Sequence, residues 1–320
     1  MTNFQVYRKT LSFSLLAFAV DILALLAFLG ITTAGFFIFI NVSPAAALIG
    51  LLVGFILGIV VASLINIFVT NRVKAAQIAM MVKGVTEGSL PEHTFHEGFV
   101  EIRGRFGKIT AFYFITRAIR SIFRQIGRGI NRVATAVGGQ VGNSVSSVID
   151  SAIQTLIGYL CDCCLGWILY RKEVNAAKAG CEGAVIFFKH GKTLIRNIGR
   201  IFGMGFLSLL LVGGGVFAIF FAIFYNFPKM FTTLGGQIAS AMGSDAPEFL
   251  TEPTLFIIFV SVFLAVVIWA ILHSVLIRPF ILVGVMRNFM TAGIKDIPTE
   301  QDFAVLDSKS PKFRKLHGTI

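Results

Sequence analysis

Four stretches of this chain are too long and too apolar to fold in water. From Leu11 to Ile40 the only charged side chain is Asp21. Ala45 to Val69 and Ile201 to Tyr225 carry none, and Thr254 to Ile277 holds only His273 among titratable groups. Each is long enough to cross a bilayer core of about 30 Å as a helix. The runs are continuous rather than alternating, which selects helices over a barrel, and a helix satisfies its own backbone groups in lipid. The rest of the composition agrees. The chain of 320 residues is 56% hydrophobic and 14% charged, where a soluble domain carries about 25% charged residues. Its mean hydropathy is +0.82. The expected fold class is therefore all-α: a polytopic membrane helical bundle.

The charge pattern orients it. There are 28 Lys and Arg against 16 Asp and Glu, a formal net charge of +12. Basic residues cluster at 71–108, at 171–200 and after Arg278, whereas 226–253 sets Lys229 against Asp245, Glu248 and Glu252. The positive-inside rule puts the three basic stretches and both termini in the cytoplasm and the acidic loop outside. The apolar run after Arg8 and Lys9 exceeds a signal-peptide core, so it reads as a retained first span. The divisions that follow are a membrane hairpin over 1–70, a cytoplasmic basic linker over 71–108, and an intermediate region over 109–170. A cytoplasmic basic segment (171–200), a C-terminal hairpin (201–282, external loop 226–253) and a cytoplasmic tail (283–320) complete them.

The intermediate region leaves the number of crossings open. Four spans are clear, and about six result if 107–130 and 151–170 also cross. Arg117, Arg120, Arg124, Arg128 and Arg132 recur at spacings of three and four, which puts them on one face of a helix, opposite Ile119, Ile122, Ile126 and Ile130. Such a helix suits the inner membrane surface, with its arginines on anionic headgroups. It could also cross with its arginines facing an interior lined by Asp21, Asp150 or Asp162, since an arginine in lipid needs a partner. A voltage sensor is a third reading, although the four-residue spacing departs from the usual interval.

Gly50, Gly54 and Gly58 lie four apart on one face of the second span and allow close approach of another helix. They serve packing, or a sliding surface. Asp21 and Asp162 sit within apolar runs, where an acid is a candidate cation or proton site; the bland reading is an interfacial polar group. Tyr159 and Trp167 could wall a site for an organic cation by cation–π attraction. His93 and His96, beside Glu92 and Glu97, have a spacing that could hold a metal but fit a solvated loop better, so no metal is expected. Cys161, Cys163, Cys164 and Cys181 cluster as reduced thiols at a membrane boundary, as packing residues or acylation sites. No phosphate-binding loop, dinucleotide fingerprint, nucleophile elbow or zinc-protease motif is present. Enzymatic activity, cofactors and nucleic-acid partners are not expected. The expected partner is a bilayer with anionic headgroups, with self-association as a homo-oligomer open to it.

From about Gly107 onward the chain resembles the C-terminal membrane region of the choline transporter-like family. Cys161-Asp-Cys-Cys164 is followed by Asn175-Ala176, Phe187-Phe188 and Arg196-Asn197. The small-residue span Phe206 to Gly215 and the final Arg287-Asn288 come next. The chain is shorter than typical members and lacks their large extracellular loop. The resemblance implies facilitated movement of choline or a similar organic cation. A non-transporting membrane scaffold or lipid-interacting oligomeric component is the other reading.

Overall fold

The computed structural model describes residues 1–39, 42–105, 117–122, 125, 142–242, 247, 250 and 252–318. Among these the chain is helical, without a strand. Four helices are long and apolar enough to cross a membrane: Asn3–Phe39, Ile49–Thr86, Ile201–Tyr225 and Pro253–Lys295. The chain folds as two compact units, Met1–Ile198 with Leu282–Ile320, and Gly199–Ile281.

The first unit begins with α1 (Asn3–Phe39), which has 37 residues. At about 1.5 Å per residue it is some 55 Å long, well beyond the thickness of a bilayer core. Its two halves differ. Val6, Thr10, Phe13, Ser14, Ala17, Val20 and Ala24 are buried at intervals of three or four, a stripe that faces protein. Past Ala24 most large side chains, among them Leu25, Leu26, Leu29, Phe37 and Ile38, are exposed, as lipid-facing residues would be. At the turn, Ser43 accepts a hydrogen bond from the Ala46 amide at 3.0 Å, and Pro44 supplies a pre-set φ at the first helical position of α2 (Pro44–Ile65).

A π-helical turn, Asn66–Thr70, joins α2 to α3 (Asn71–Thr86). The region 71–108, basic on paper, is no linker: it contains two packed helices, α3 and α4 (Thr94–Arg105). Every residue of α3 from Ala75 to Val82 is buried. The lysines that mark it as polar, Lys74 and Lys83, flank that core segment. Gln77 donates to the Thr10 carbonyl at 3.1 Å and to Ser14 Oγ at 2.6 Å, pinning α3 to the lower half of α1. Phe13 reaches α4, where its ring stacks on Phe95 at 4.9 Å.

Beside α3 runs α5 (Gly142–Tyr170). From Ile157 to Leu169 only Gly158 and Asp162 are not fully buried. Around this core lie α6 (Ala176–Lys189) and the 282–295 part of α11 (Arg278–Lys295), followed by α12 (Glu300–Lys309) and α13 (Pro311–His317). A Cβ on Gly166 would stand 2.8 Å from both Met286 Sδ and Val82 Cγ2, so α5, α3 and α11 meet where anything larger than glycine must displace those side chains. The segment 283–320, read as a tail, also belongs to this body: Phe289, Phe303, Leu306 and Phe313 are fully buried.

Both ends of the chain lie in this one body. Arg287 donates from Nε to Asn3 Oδ1 at 2.6 Å and from a terminal guanidinium nitrogen to the Met1 carbonyl at 2.9 Å.

The second unit is a hairpin. α7 (Gly191–Ser208) leads into it, and a π turn at Leu209–Gly213 precedes α8 (Gly214–Tyr225). Chain return is through α10 (Pro253–Leu272) and a further π turn at His273–Ile277. Part of the connection read as an external loop is helical: α9 (Pro228–Met242) packs Phe231 against Phe224 and Phe256, with Leu250 and Ile257 completing a small apolar cluster. Trp269 donates to Ser208 Oγ at 3.1 Å across the hairpin.

Candidate functional site

Three constellations carry the residues singled out in the sequence. The first is the hairpin of α1 and α2. Gly50, Gly54 and Gly58 line its seam. A Cβ on Gly54 would stand 2.7 Å from the Ile31 carbonyl oxygen, and one on Gly58 would stand 2.9 Å from Phe28 Cδ2. A Cβ on Gly50 would collide with the Gly35 carbonyl. The two backbones touch because nothing larger than hydrogen stands between them. At the lower end of the seam the exposed Asp21 accepts a hydrogen bond from Thr70 Oγ1 at 2.9 Å. Thr70 is itself fully buried and closes the π turn. Asp21 thus marks the level at which α2 gives way to Asn66 and Asn71, two polar residues at the start of the π turn and of α3.

The second constellation lies in the body. Trp167, read as an aromatic wall, is fully buried and donates from Nε1 to Glu182 Oε2 at 2.9 Å. Arg171 holds the same carboxylate with two bonds, Nε to Oε2 at 3.0 Å and a terminal nitrogen to Oε1 at 3.2 Å. Its other terminal nitrogen pairs with Glu173. Hydrogen bonding to Glu182 raises the Arg171 pKa further above its already high value. A buried carboxylate is tolerable only when so fully paired. Glu182 was not legible as special: it is one acid in a basic stretch, and only the buried Trp167 and Arg171 reveal it. Tyr159 is buried in the same core, and Asp162 is half-buried on α5.

The four cysteines are reduced and buried. Burial pushes the Cys181 thiol up to about 12, with Asp307 and Glu182 adding to it, so it stays protonated and unreactive at neutral pH. Packing suits these thiols better than acylation.

The third constellation is the arginine stretch. Residues 117–122 are helical, with Arg117 and Arg120 exposed. Ile119 and Ile122 are each 1% exposed, so the apolar face is covered by protein. Ser121 Oγ accepts from Lys312 Nζ at 2.7 Å, and Gln125 Oε1 accepts from Ser310 Oγ at 3.0 Å. The stretch is therefore docked on α13. Arg124, Arg128 and Arg132 lie outside the described residues.

His93 and His96 line an open groove with Lys9, Ser12, Glu92 and Glu97. Among the described residues no group of three or more His, Cys, Asp or Glu side chains is placed to hold a metal ion. A second cleft lies between α3 and the end of α5, beside the Lys172–Glu101 ion pair. Neither cleft is lined by Asp21 or Asp162.

The fold defines a helical protein with membrane-spanning segments and a substantial packed body built around α3 and α5. No family description, curated protein or solved structure matches this chain.

Proposed function

We propose that this chain is a four-span membrane anchor for a cytoplasmic helical body, acting as a scaffold or lipid-associated component rather than as a solute carrier. The observation that carries the reading is what becomes of the apolar run in α5. Ile157–Leu169 is enclosed by α3, α6 and α11. The helices around it carry charges unsuited to lipid, among them Lys83, Glu97, Glu101 and Lys189. Hydropathy alone would count that run as a crossing and bring the total toward six; its surroundings support four. The body carries most of the basic residues, which by the positive-inside rule supports a cytoplasmic position for it and for both termini.

The first hairpin supports an anchoring role. Its helices meet at a glycine seam, and Asp21 is satisfied by Thr70 at its edge. The resemblance to choline transporter-like proteins gives the competing reading, in which Asp21 or Asp162 would bind an organic cation. Choline uptake by proteoliposomes separates the two. Uptake equal to that of empty liposomes is expected. Uptake well above it, abolished by Asp21→Asn, would establish transport and overturn the proposal.

A further inference from the structure

We infer that the surface shared by the arginine stretch and α13 is a docking face for anionic phospholipid headgroups. The inference rests on the reading of the chain as a membrane-anchored body. Arg117, Arg120, Lys312 and Lys315 are all exposed. They come from segments 185 residues or more apart, joined by the hydrogen bond from Ser310 Oγ to Gln125 and that from Lys312 Nζ to Ser121. Lys312 Nζ is thereby held at Ser121, one helical turn along from Arg117. Among the described residues none of these four cations forms an ion pair with a carboxylate. The nearby acid Asp307 is turned to His317, at 2.7 Å. Arg314, the next cation of α13, spends its guanidinium on the Asp307 carbonyl at 2.9 and 3.2 Å.

Among the described residues the face has no apolar side to insert. Ile119, Ile122 and Phe313 are used up in the protein core. Its attraction is therefore electrostatic, unlike that of an amphipathic helix lying in the interface. A cationic face fixed to a membrane-anchored body meets lipid headgroups at high effective concentration. Each basic residue near an anionic leaflet strengthens such an association, within about a Debye length.

The test is hydrogen exchange of the full chain in nanodiscs of phosphatidylcholine, with and without phosphatidylserine. Phosphatidylserine is expected to slow exchange in 117–122 and 311–317 by about tenfold. High salt, or the quadruple variant Arg117→Gln, Arg120→Gln, Lys312→Gln and Lys315→Gln, should abolish the difference. Lys178→Gln, a change elsewhere on the body, should leave it intact. Unchanged thermal unfolding of the quadruple variant shows that its fold survives. Equal exchange in the two lipids would overturn the inference. Protection by soluble polyglutamate but not by phosphatidylserine would overturn it in favour of an acidic protein partner. Neither result touches choline uptake, so failure here is distinguishable from failure of the anchoring role.

Discussion

Helices α2 and α5 both carry apolar runs long enough to read as spans, α2 the more apolar of the two, yet different surroundings cover them. In the most apolar window of the helix containing α2, 11% of residues are buried by protein. What is buried in α2 lies chiefly along the glycine seam, and Leu52, Phe55, Ile56 and Val60 face outward. In α5, from Tyr159 to Leu169, only Asp162 escapes full burial. The difference teaches that hydropathy measures avoidance of water and not what replaces it. Lipid replaces it around α2. Around α5 it is replaced by alanines and methionines of α3, by small residues of α6, and by Met286 and Phe289 of α11. Because α3 is itself enclosed from Ala75 to Val82, the polar exterior falls to α4 and α6, with His96, Arg103 and Lys189 exposed.

The comparison can be broken most severely at the charge buried beside α5. Glu182→Ala leaves the buried Trp167 indole N–H without its acceptor and takes one of two carboxylates from the half-buried Arg171, which keeps Glu173. We expect a loss of about 3 kcal/mol in unfolding free energy, from one unsatisfied buried donor together with lost charge-assisted hydrogen bonds. Thermal melts followed by Trp167 fluorescence read it, with the hairpins retained in the membrane fraction. A melt unchanged from wild type would mean that the network carries no stability.

A smaller effect contrasts two exposed apolar side chains. Phe55 on α2 and Val100 on α4 are 45% and 49% exposed. Phe55→Lys should cost about 2.5–3.5 kcal/mol of membrane insertion, seen as protein lost from the bilayer fraction. Val100→Lys should change stability by less than about 0.5 kcal/mol, because its side chain already faces water. Equal penalties would put both helices in lipid.

Packing at Gly166 is next. Gly166→Ala sets a methyl 2.8 Å from Met286 Sδ and Val82 Cγ2. Overpacking of this kind costs about 1–3 kcal/mol, toward the low end here because Met286 can yield. Denaturant melts of the body check it.

The smallest effect concerns the start of α12. Asp302 accepts from the Thr299 amide at 2.9 Å and from Lys189 Nζ at 3.1 Å. The Thr299 amide first, then Lys189 and the Thr299 hydroxyl, hold its carboxyl below the usual range. A depressed carboxylate stabilises the fold above its unfolded pKa, and that contribution disappears as pH falls through the folded value. Asp302→Asn should therefore cost less than about 1 kcal/mol at neutral pH. The difference from wild type should shrink as pH falls through the folded-state pKa of Asp302, in melts taken across acid pH.

The spans and the seam were legible in the sequence, because lipid imposes length and glycine imposes contact. Leu11–Ile40 was legible only in part. Its lower half serves the body: a buried stripe of Phe13, Ala17, Val20 and Ala24 is hidden among equally apolar neighbours. The body itself was not legible. Lys74 and Lys83 made α3 look like a linker, although the eight residues from Ala75 to Val82 are its core. The apolar side of α9 was similarly diluted by threonines and glycines. Arg117 and Arg120 announced a cationic face, but the segment that bonds to Ser121 and Gln125 lay nearly two hundred residues downstream, beyond the reach of any local pattern.

The central claim is that the helices around α5 stand in water while α2 stands in lipid. Single-cysteine variants Val100→Cys and Phe55→Cys, treated with a membrane-impermeant maleimide in inside-out vesicles, test it most directly. The native thiols are buried and contribute little background. Rapid labelling of Val100→Cys with none at Phe55→Cys is the expected result. Protection of Val100→Cys in vesicles of either orientation, with labelling only after detergent, would place α4 in the bilayer and contradict the account.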